Sequence, residues 1–361
     1  MIRLLRNTLL SLLVLCAFVV VLLYSASWQP GAREKSPVTC SADAPLPAPG
    51  QALKVMTWNI QYLAGKRYVF WYDQAHGSDE RPTPEDLAYN LDEVARVVRD
   101  EQPDLVLLQD VDLDAKASDY QDQLALLHER LVDLYPCSAQ AYDWKSDFVP
   151  DRHIFGSVGR TLVTLSRFKI SKAERLQLPQ AAGHWPSSMW APRRALLSVY
   201  LPLPDGGQLA VLNTHLDPYT VDQGLQHQQL DAVSYRLDRL EGAGTPWIIG
   251  GDFNLLALGQ YRRLPAAQRP LYPVDSDLHL LWEKYAMIPS NDEAGGEDRD
   301  DWLTHYPNDP DLDGPDRTLD YLFHGSRIRR IEARVRQDDT EEISDHLPLI
   351  ARVQVMPSGV P

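Results

Sequence analysis

"GGDFNLLA", residues 250–257, follows the apolar run Trp247-Ile248-Ile249 and sets Asp252 and Asn254 two positions apart behind paired glycines. The apolar run reads as a strand covered on both faces. Glycine permits a sharp turn or a close backbone approach. Side chains at i and i+2 of an extended chain point the same way, so a carboxylate and a carboxamide can converge on one site. A polar strand-to-loop turn uses the same residue types. The rest of the chain decides between a turn and the lip of a site.

The 361 residues are 44% hydrophobic, enough for a large single domain or two smaller ones. Twenty-seven prolines and twenty glycines fit many loops rather than a helical bundle. A net charge of −15 with no long basic run disfavours broad nucleic-acid binding, which relies on Lys and Arg to neutralise phosphates. A phosphate substrate stays open, because a metal ion can supply the local positive charge.

Arg3 and Arg6 precede an apolar run from about Thr8 to Tyr24, and "SAS" at 25–27 resembles a small-residue cleavage site. Residues 1–28 therefore read as a secretory signal peptide or an uncleaved signal anchor, with the basic amino terminus in the cytoplasm. The remainder is expected on the periplasmic or extracellular face of the inner membrane, anchored or secreted. Cys16 lacks the small residues before it that lipidation requires. Cys40 and Cys137 fall in the exported part, where two thiols either pair or stay free.

Residues 29–52 are rich in Pro, Ala and Ser and read as a tether. From 53 to 355 no second composition break and no internal repeat interrupts the chain. Short apolar runs at 53–58, 104–108, 161–165, 195–201, 208–213, 246–250, 319–323 and 347–353 are bounded by turn residues, as strands are. Helical spacing appears over 84–99, about 119–133 and about 222–240. This order predicts an α/β fold, two sheets packed face to face with helices outside. The stretch 290–317 is acidic and loop-like. Within it "DPDLDGPDRTLD", 309–320, approaches a calcium loop through Asp309, Asp311, Asp313, Gly314 and Asp320, but Pro310 and Pro315 interrupt it. A solvated acidic loop is the default there.

Polar residues recur at the ends of the expected strands: Asn59 in "TWNIQ", Asp110 in "LLQDVD", and Asn213, His215 and Asp217 in "LNTHLD". Asp252 and Asn254 follow in "GGDFN", Asp320 in "TLDYLF", and Asp345 and His346 in "SDHLPL". The order WN…QD…LSR…NTH…GDFN…LDY…SDH resembles the endonuclease/exonuclease/phosphatase superfamily, metal-dependent phosphoesterases with a DNase I-like four-layer sandwich. The resemblance runs from about 54 to 353. It implies that Asn59, Asp110 and Asp345 hold Mg²⁺, with Mn²⁺ as the alternative. It further implies His346 as general base oriented by Asp320, Asp252 and Asn254 facing the attacked phosphate, and His215 contacting it. Arg167 and Arg194 fall where the family has recurring arginines and are read as structural. Two departures stand out. Gln109-Asp110 replaces the usual Gln-Glu, shortening a ligand by one methylene. Arg160-Thr161 replaces a Gly-containing pair and is expected away from the chemistry.

The chemistry accounts for these residue types independently. A phosphodiester repels nucleophiles, and a divalent cation among hard oxygen ligands neutralises that charge and the leaving alkoxide. Water needs a base at neutral pH, which a carboxylate-held histidine provides. The expected protein is an exported or membrane-tethered, monomeric phosphoesterase. Its substrate is a small or membrane-borne phosphate ester, with duplex DNA disfavoured by charge and the membrane reached through the amino-terminal helix if uncleaved. A nuclease of the same fold and an inactive binding protein are the competing readings. Substrate choice falls to loops 64–84, 140–160, 179–193 and 256–318, whose aromatics are Tyr68, Phe70, Trp71, Tyr72, Trp144, Trp185 and Trp190.

Overall fold

Fully buried strands lie at the heart of the molecule, and their sequences are the apolar runs picked out above. The computed structural model describes residues 1–71, 77–78, 80–183, 185–222, 224–309 and 312–357. Its strands begin with β1 (Arg33–Lys35), β2 (Val38–Cys40), β3 (Ala52–Asn59), β4 (Leu105–Asp112), β5 (Cys137–Val149), β6 (Gly156–Ser166) and β7 (Lys172–Gln177). They continue with β8 (Ala195–Pro202), β9 (Gln208–His215), β10 (Trp247–Asp252), β11 (Ala286–Ile288), β12 (Asp320–His324), β13 (Ile328–Val335) and β14 (Leu349–Val355). One seven-stranded sheet has the order β1-β7-β8-β9-β10-β12-β11, the other β13-β14-β3-β4-β6-β5-β2.

Each sheet contains a parallel pair, β9/β10 in the first and β3/β4 in the second. Parallel neighbours need a crossover, and a helix supplies each one: α2 (Pro84–Glu101) between β3 and β4, α4 (Leu225–Gly242) between β9 and β10. The start of α2 is fixed as its sequence suggests. Thr83 Oγ1 accepts from Asp86 N, Pro84 opens the helix, and Glu85 and Asp86 lie in its first turn. With α1 (Ile2–Ala26) at the amino terminus and α3 (Gln123–Leu131) beside α2, these are the longer helices.

The side-chain alternation of the strands builds three apolar layers. Val55, Leu105, Leu107, Val211, Ile248 and Leu322 fill the space between the sheets. Met56, Trp58, Val106 and Leu108 face the other way, against Leu87, Leu91, Val94 and Val98 of α2. Leu212, Ile249, Tyr321 and Phe323 pack against Leu230, Val233 and Leu237 of α4. The result is the expected helix–sheet–sheet–helix sandwich.

The paired glycines of the opening motif have separate reasons. A Cβ on Gly250 would lie 2.5 Å from Leu322 Cδ2 and 2.9 Å from Leu107 Cδ1, so the sheets approach closely there. A Cβ on Gly251 would lie 1.9 Å from Thr214 O of the neighbouring strand.

Two expectations change. The stretch read as a tether contributes an edge strand to each sheet: β1 pairs with β7, and β2 pairs with β5. Cys40 and Cys137, directly opposite in that second pairing, form a disulfide. The acidic stretch is partly helical: Ser290 and Glu293 form a reciprocal capping box on a short helix at Asn291–Gly295. Strands β5, β7 and β13 escape the apolar-run reading because polar residues interrupt them, the buried Asp143, Glu174 and Arg175 among them, and β13 is largely exposed. Helix α1 is apolar throughout its central span, with mean hydropathy 2.3 over Arg3–Val21, and buries none of that span in the body. Its length and composition suffice to cross a membrane, a test that signal sequences also pass.

The disulfide closes a 97-residue separation. Replacing Cys40 and Cys137 together by serine is expected to cost about 2–4 kcal/mol of stability. Thermal unfolding of the two proteins checks this, and an unchanged melting temperature would show that the bond does not form in solution.

Candidate active site

The ends of the two parallel pairs deliver the polar residues to one place. In sheets with parallel strands, ligands bind outside the carboxyl ends. Asn59 ends β3, His215 ends β9 and Asp252 ends β10. In β4 the pairing with β6 slips between Leu108 and Val111, and Asp110 within this bulge has φ +53°. Such a bulge re-aims a side chain. Gln109 stays between the sheets, donating from Nε2 to Asn213 Oδ1 (2.7 Å) and Thr57 Oγ1 (3.2 Å). Asp110 turns to the cavity. Asp320 begins β12 directly opposite Asp252, and Asp345-His346 precede β14.

Asn59, Asp110, His215, Asp252, Asn254, Asp345 and His346 line a cavity of about 820 Å³. Asp320 lies behind His346, with Oδ2 2.7 Å from His346 Nδ1. The other ring nitrogen, Nε2, is 3.5 Å from Asp252 Oδ2. That same oxygen accepts from Asn59 Nδ2 (3.1 Å) and is 3.3 Å from His215 Nε2. Asp252 Oδ1 accepts from the backbone of Asn254 (2.9 Å), whose Nδ2 donates to Leu216 O (3.0 Å). Asn254 itself lines the cavity.

Charge is concentrated here. Burial disfavours the His346 imidazolium, but Asp320 and Asp252 override it and push its pKa well above 6.5. Burial also works against the Asp110 carboxylate, yet Arg160 and His215 hold its pKa below the usual range. Burial pushes Asp345 upward, and Asp110 and Asp252 add to the rise.

Two assignments shift. His215, expected to face a phosphate, spends both nitrogens on carboxylates: Nδ1 is 3.1 Å from Asp110 Oδ1 and Nε2 reaches Asp252. It ties the two acids together. Arg160, expected away from the chemistry, lines the cavity with Nε 3.5 Å from Asp110 Oδ1 and 3.8 Å from Asp112 Oδ1. It lies opposite Asp112 in the β4/β6 pairing, so the reach follows from register. Among the described residues, those of the 309–320 loop form no calcium cluster of their own. Asp309 accepts from Gln268, Asp320 serves His346, and Asp311 lies outside the described residues. Among the described residues, the groups close enough to share an ion are Asp110–Asp143–His215, Asp252–Asp320–His346 and His305–Asp345–His346.

The sequence missed His305, Asp143 and Arg317. The His305 ring lies 4.5 Å from that of His346, and burial lowers its pKa well below 6.5. Arg317 also lines the cavity, gripped by both oxygens of Asp316 at 2.6 Å. None of the three follows a strand-end motif that marks it. Of the loop aromatics, Trp71, Trp144 and Trp190 line the cavity, while Tyr68 and Phe70 are buried against Tyr62. Trp185 is 62% exposed, and Tyr72 lies outside the described residues.

Arg194, read from sequence as structural, also lines the cavity. It bridges Asp143 Oδ2 (2.6 Å) and Asp217 Oδ1 (2.9 Å), all three buried. Arg167 lies beside Asp104 and Tyr135, at the opposite end of β4 from the cavity. Arg194→Ala would leave two buried carboxylates without their cation and is expected to destabilise by about 3–5 kcal/mol. Denaturant unfolding reads this; a loss under about 1 kcal/mol would mean the site relaxes around water.

A family model described as "Endonuclease/Exonuclease/phosphatase family" matches residues 56–346. No curated protein matches the chain significantly in sequence. Solved structures of similar fold include an endonuclease/exonuclease/phosphatase from Beutenbergia cavernae, with 22% identity and TM-score 0.60 over 86% of this chain and 73% of that one. The human Nocturnin catalytic domain with bound sulfate has 17% identity and TM-score 0.54, covering 89% of this chain and 97% of its own. D. rerio TDP2 complexed with single strand DNA product has 15% identity and TM-score 0.51, covering 84% and 99%. At these identities the likeness shows the fold.

Proposed function

The chain belongs to the endonuclease/exonuclease/phosphatase family, and we propose that it is an exported or membrane-tethered, metal-dependent phosphoesterase that attacks a phosphodiester or phosphomonoester with histidine-activated water. The observation that supports this most is the run Asp320–His346–Asp252, with spacings of 2.7 and 3.5 Å, on the wall of a cavity that also holds Asn59, Asp110 and Asp345.

The donor set fits a hard divalent cation. Asn59 offers a carboxamide oxygen, and Asp110 and Asp345 offer carboxylates. Burial pushes Asp345 upward first, with Asp110 and Asp252 adding to it, and a bound cation would offset both. Asn59, Asp110 and Asp345 would hold Mg²⁺ or Mn²⁺, which supplies charge neutralisation at the phosphate and the leaving oxygen.

The protein's own groups supply the rest. Asp320 fixes the His346 ring through Nδ1, leaving Nε2 to take a proton from water. Asp252, beside Nε2, orients that water. The remaining N–H of Asn254 donates to a nonbridging phosphate oxygen, and His215 keeps Asp110 and Asp252 in place.

A nuclease is the second reading, favoured by the likeness to D. rerio TDP2 complexed with single strand DNA product. The net charge of −15 opposes it for duplexes. Side-by-side assay of the full chain with Mg²⁺ or Mn²⁺ on a generic phosphodiester, inositol phosphates, a lipid phosphoester and plasmid DNA is the test. Turnover of a small or lipid ester with poor plasmid cleavage is expected. Efficient plasmid cleavage that collapses with salt would promote the nuclease, and no turnover with any divalent metal would leave a binding protein.

His346→Ala is expected to lower kcat by about 10²–10⁴-fold with the fold retained by circular dichroism. Turnover should fall as pH drops and His346 protonates. Asp320→Asn removes a charge that favours the imidazolium, so it should move that acidic limb to lower pH while lowering the plateau. A pH profile unchanged in Asp320→Asn would separate the dyad from the rate.

Asp110→Ala should weaken metal affinity measured by calorimetry, whereas Asp110→Glu should retain or tighten it. The reverse order would exclude Asp110 as a ligand.

A further inference from the structure

Large apolar side chains crowd the mouth of the cavity and stay exposed there. Trp71, Val221 and Leu271 line it and are 43%, 49% and 40% exposed. Phe148 and Phe155 flank Val149 and Ile154, which also line it, and meet edge-to-face at 5.1 Å on the β5–β6 hairpin tip. Trp185, 62% exposed, precedes the lining residue Pro186. A soluble surface rarely gathers such residues without a partner to cover them.

The chain itself points to that partner. Helix α1 ends at Ala26, and Trp28, two residues on, is already docked on the body. Its ring lies 5.9 Å from that of Tyr142, and the Arg175 guanidinium sits 4.9 Å over it. Arg175 donates to Tyr142 O (2.7 Å) and to Arg193 O (2.6 Å). Arg193 closes the segment that carries Pro186 and Trp190, and Trp144 Nε1 donates to Trp190 O (2.7 Å). The exit from the apolar helix is thus joined by consecutive contacts to the cavity's own wall. A loose tether of residues 29–52 would let the body wander about 25–30 Å from the bilayer. Docking at Trp28 shortens that reach and ties the end of α1 to the cavity wall.

We propose that the mouth of the cavity docks on the bilayer spanned by α1, with Phe148, Phe155 and Trp185 entering its interfacial region, and that the substrate is a phosphoester carried by a lipid of that bilayer. Aromatic side chains favour that depth. The substrate half rests on the phosphoesterase reading; the docking half stands on the mouth and the Trp28 clamp.

The full chain is reconstituted into vesicles of phosphatidylethanolamine and phosphatidylglycerol containing phosphatidic acid. Phosphate or headgroup release from the vesicles is compared with hydrolysis of soluble bis-(p-nitrophenyl) phosphate. Phe155→Ser with Trp185→Ser should lower the vesicle rate at least about fivefold and leave the soluble rate unchanged. Equal rates on vesicles for variant and parent, with soluble turnover intact, would overturn the lipid substrate. No turnover of either would sink the phosphoesterase reading instead. Docking is read separately with Cys16→Ser/Phe155→Cys carrying an environment-sensitive fluorophore. Quenching by spin-labelled lipid and protection from aqueous iodide are expected, and full iodide access would overturn the docked mouth.

Discussion

The Asp252 carboxylate is the point at which both sheets are held to one geometry. It ends β10 in one sheet and accepts from Asn59, the last residue of β3 in the other. The same oxygen meets His215 Nε2 and His346 Nε2. A buried carboxylate tolerates this position because Asn59 Nδ2 donates to one oxygen and the Asn254 backbone N–H to the other. Its fixed place in turn determines how far apart the two sheets stand at the cavity. Gly250, two residues earlier, admits the close approach that brings Asn59 within reach.

The sandwich repeats one device. Each sheet has a parallel pair joined by an eighteen-residue helix, and the carboxyl ends of both pairs open on the same side. Parallel strands are buried on both faces, which explains their unbroken apolar sequences. Polar residues at their ends are then held by rigid backbone rather than by loops, so hydrogen-bond geometry can be set within tenths of an ångström. Antiparallel strands β12 and β14 add Asp320 and His346 from the opposite direction.

Sequence revealed what repeats or stands in a marked position. Trp247-Ile248-Ile249 announced a buried strand, and Thr83-Pro84-Glu85 announced a helix start; both depend on nearest neighbours. Asn59, Asp252 and His346 were legible because each directly follows or precedes such a run. Arg160 was misread because its proximity to Asp110 arises from the β4/β6 register and the bulge, which no local pattern specifies. His305 and Arg317 were invisible for a similar reason: they lie in an acidic stretch whose path over the cavity depends on tertiary contacts. The pairing of Val38–Cys40 escaped notice since three residues form too short a pattern to register.

Those two short amino-terminal strands close the flank of the sandwich. β1 pairs with Glu174–Leu176 of β7 and β2 with Cys137–Ala139 of β5, so one eight-residue stretch adds an edge strand to both sheets. A chain begun at Leu53, where the composition suggests the domain starts, would bare the backbone groups of Glu174–Leu176 and Cys137–Ala139 that these strands pair with. Unpaired rims of that kind recruit other chains. A start upstream of Arg33 keeps both edge strands, and self-association is the signature of a start placed too late.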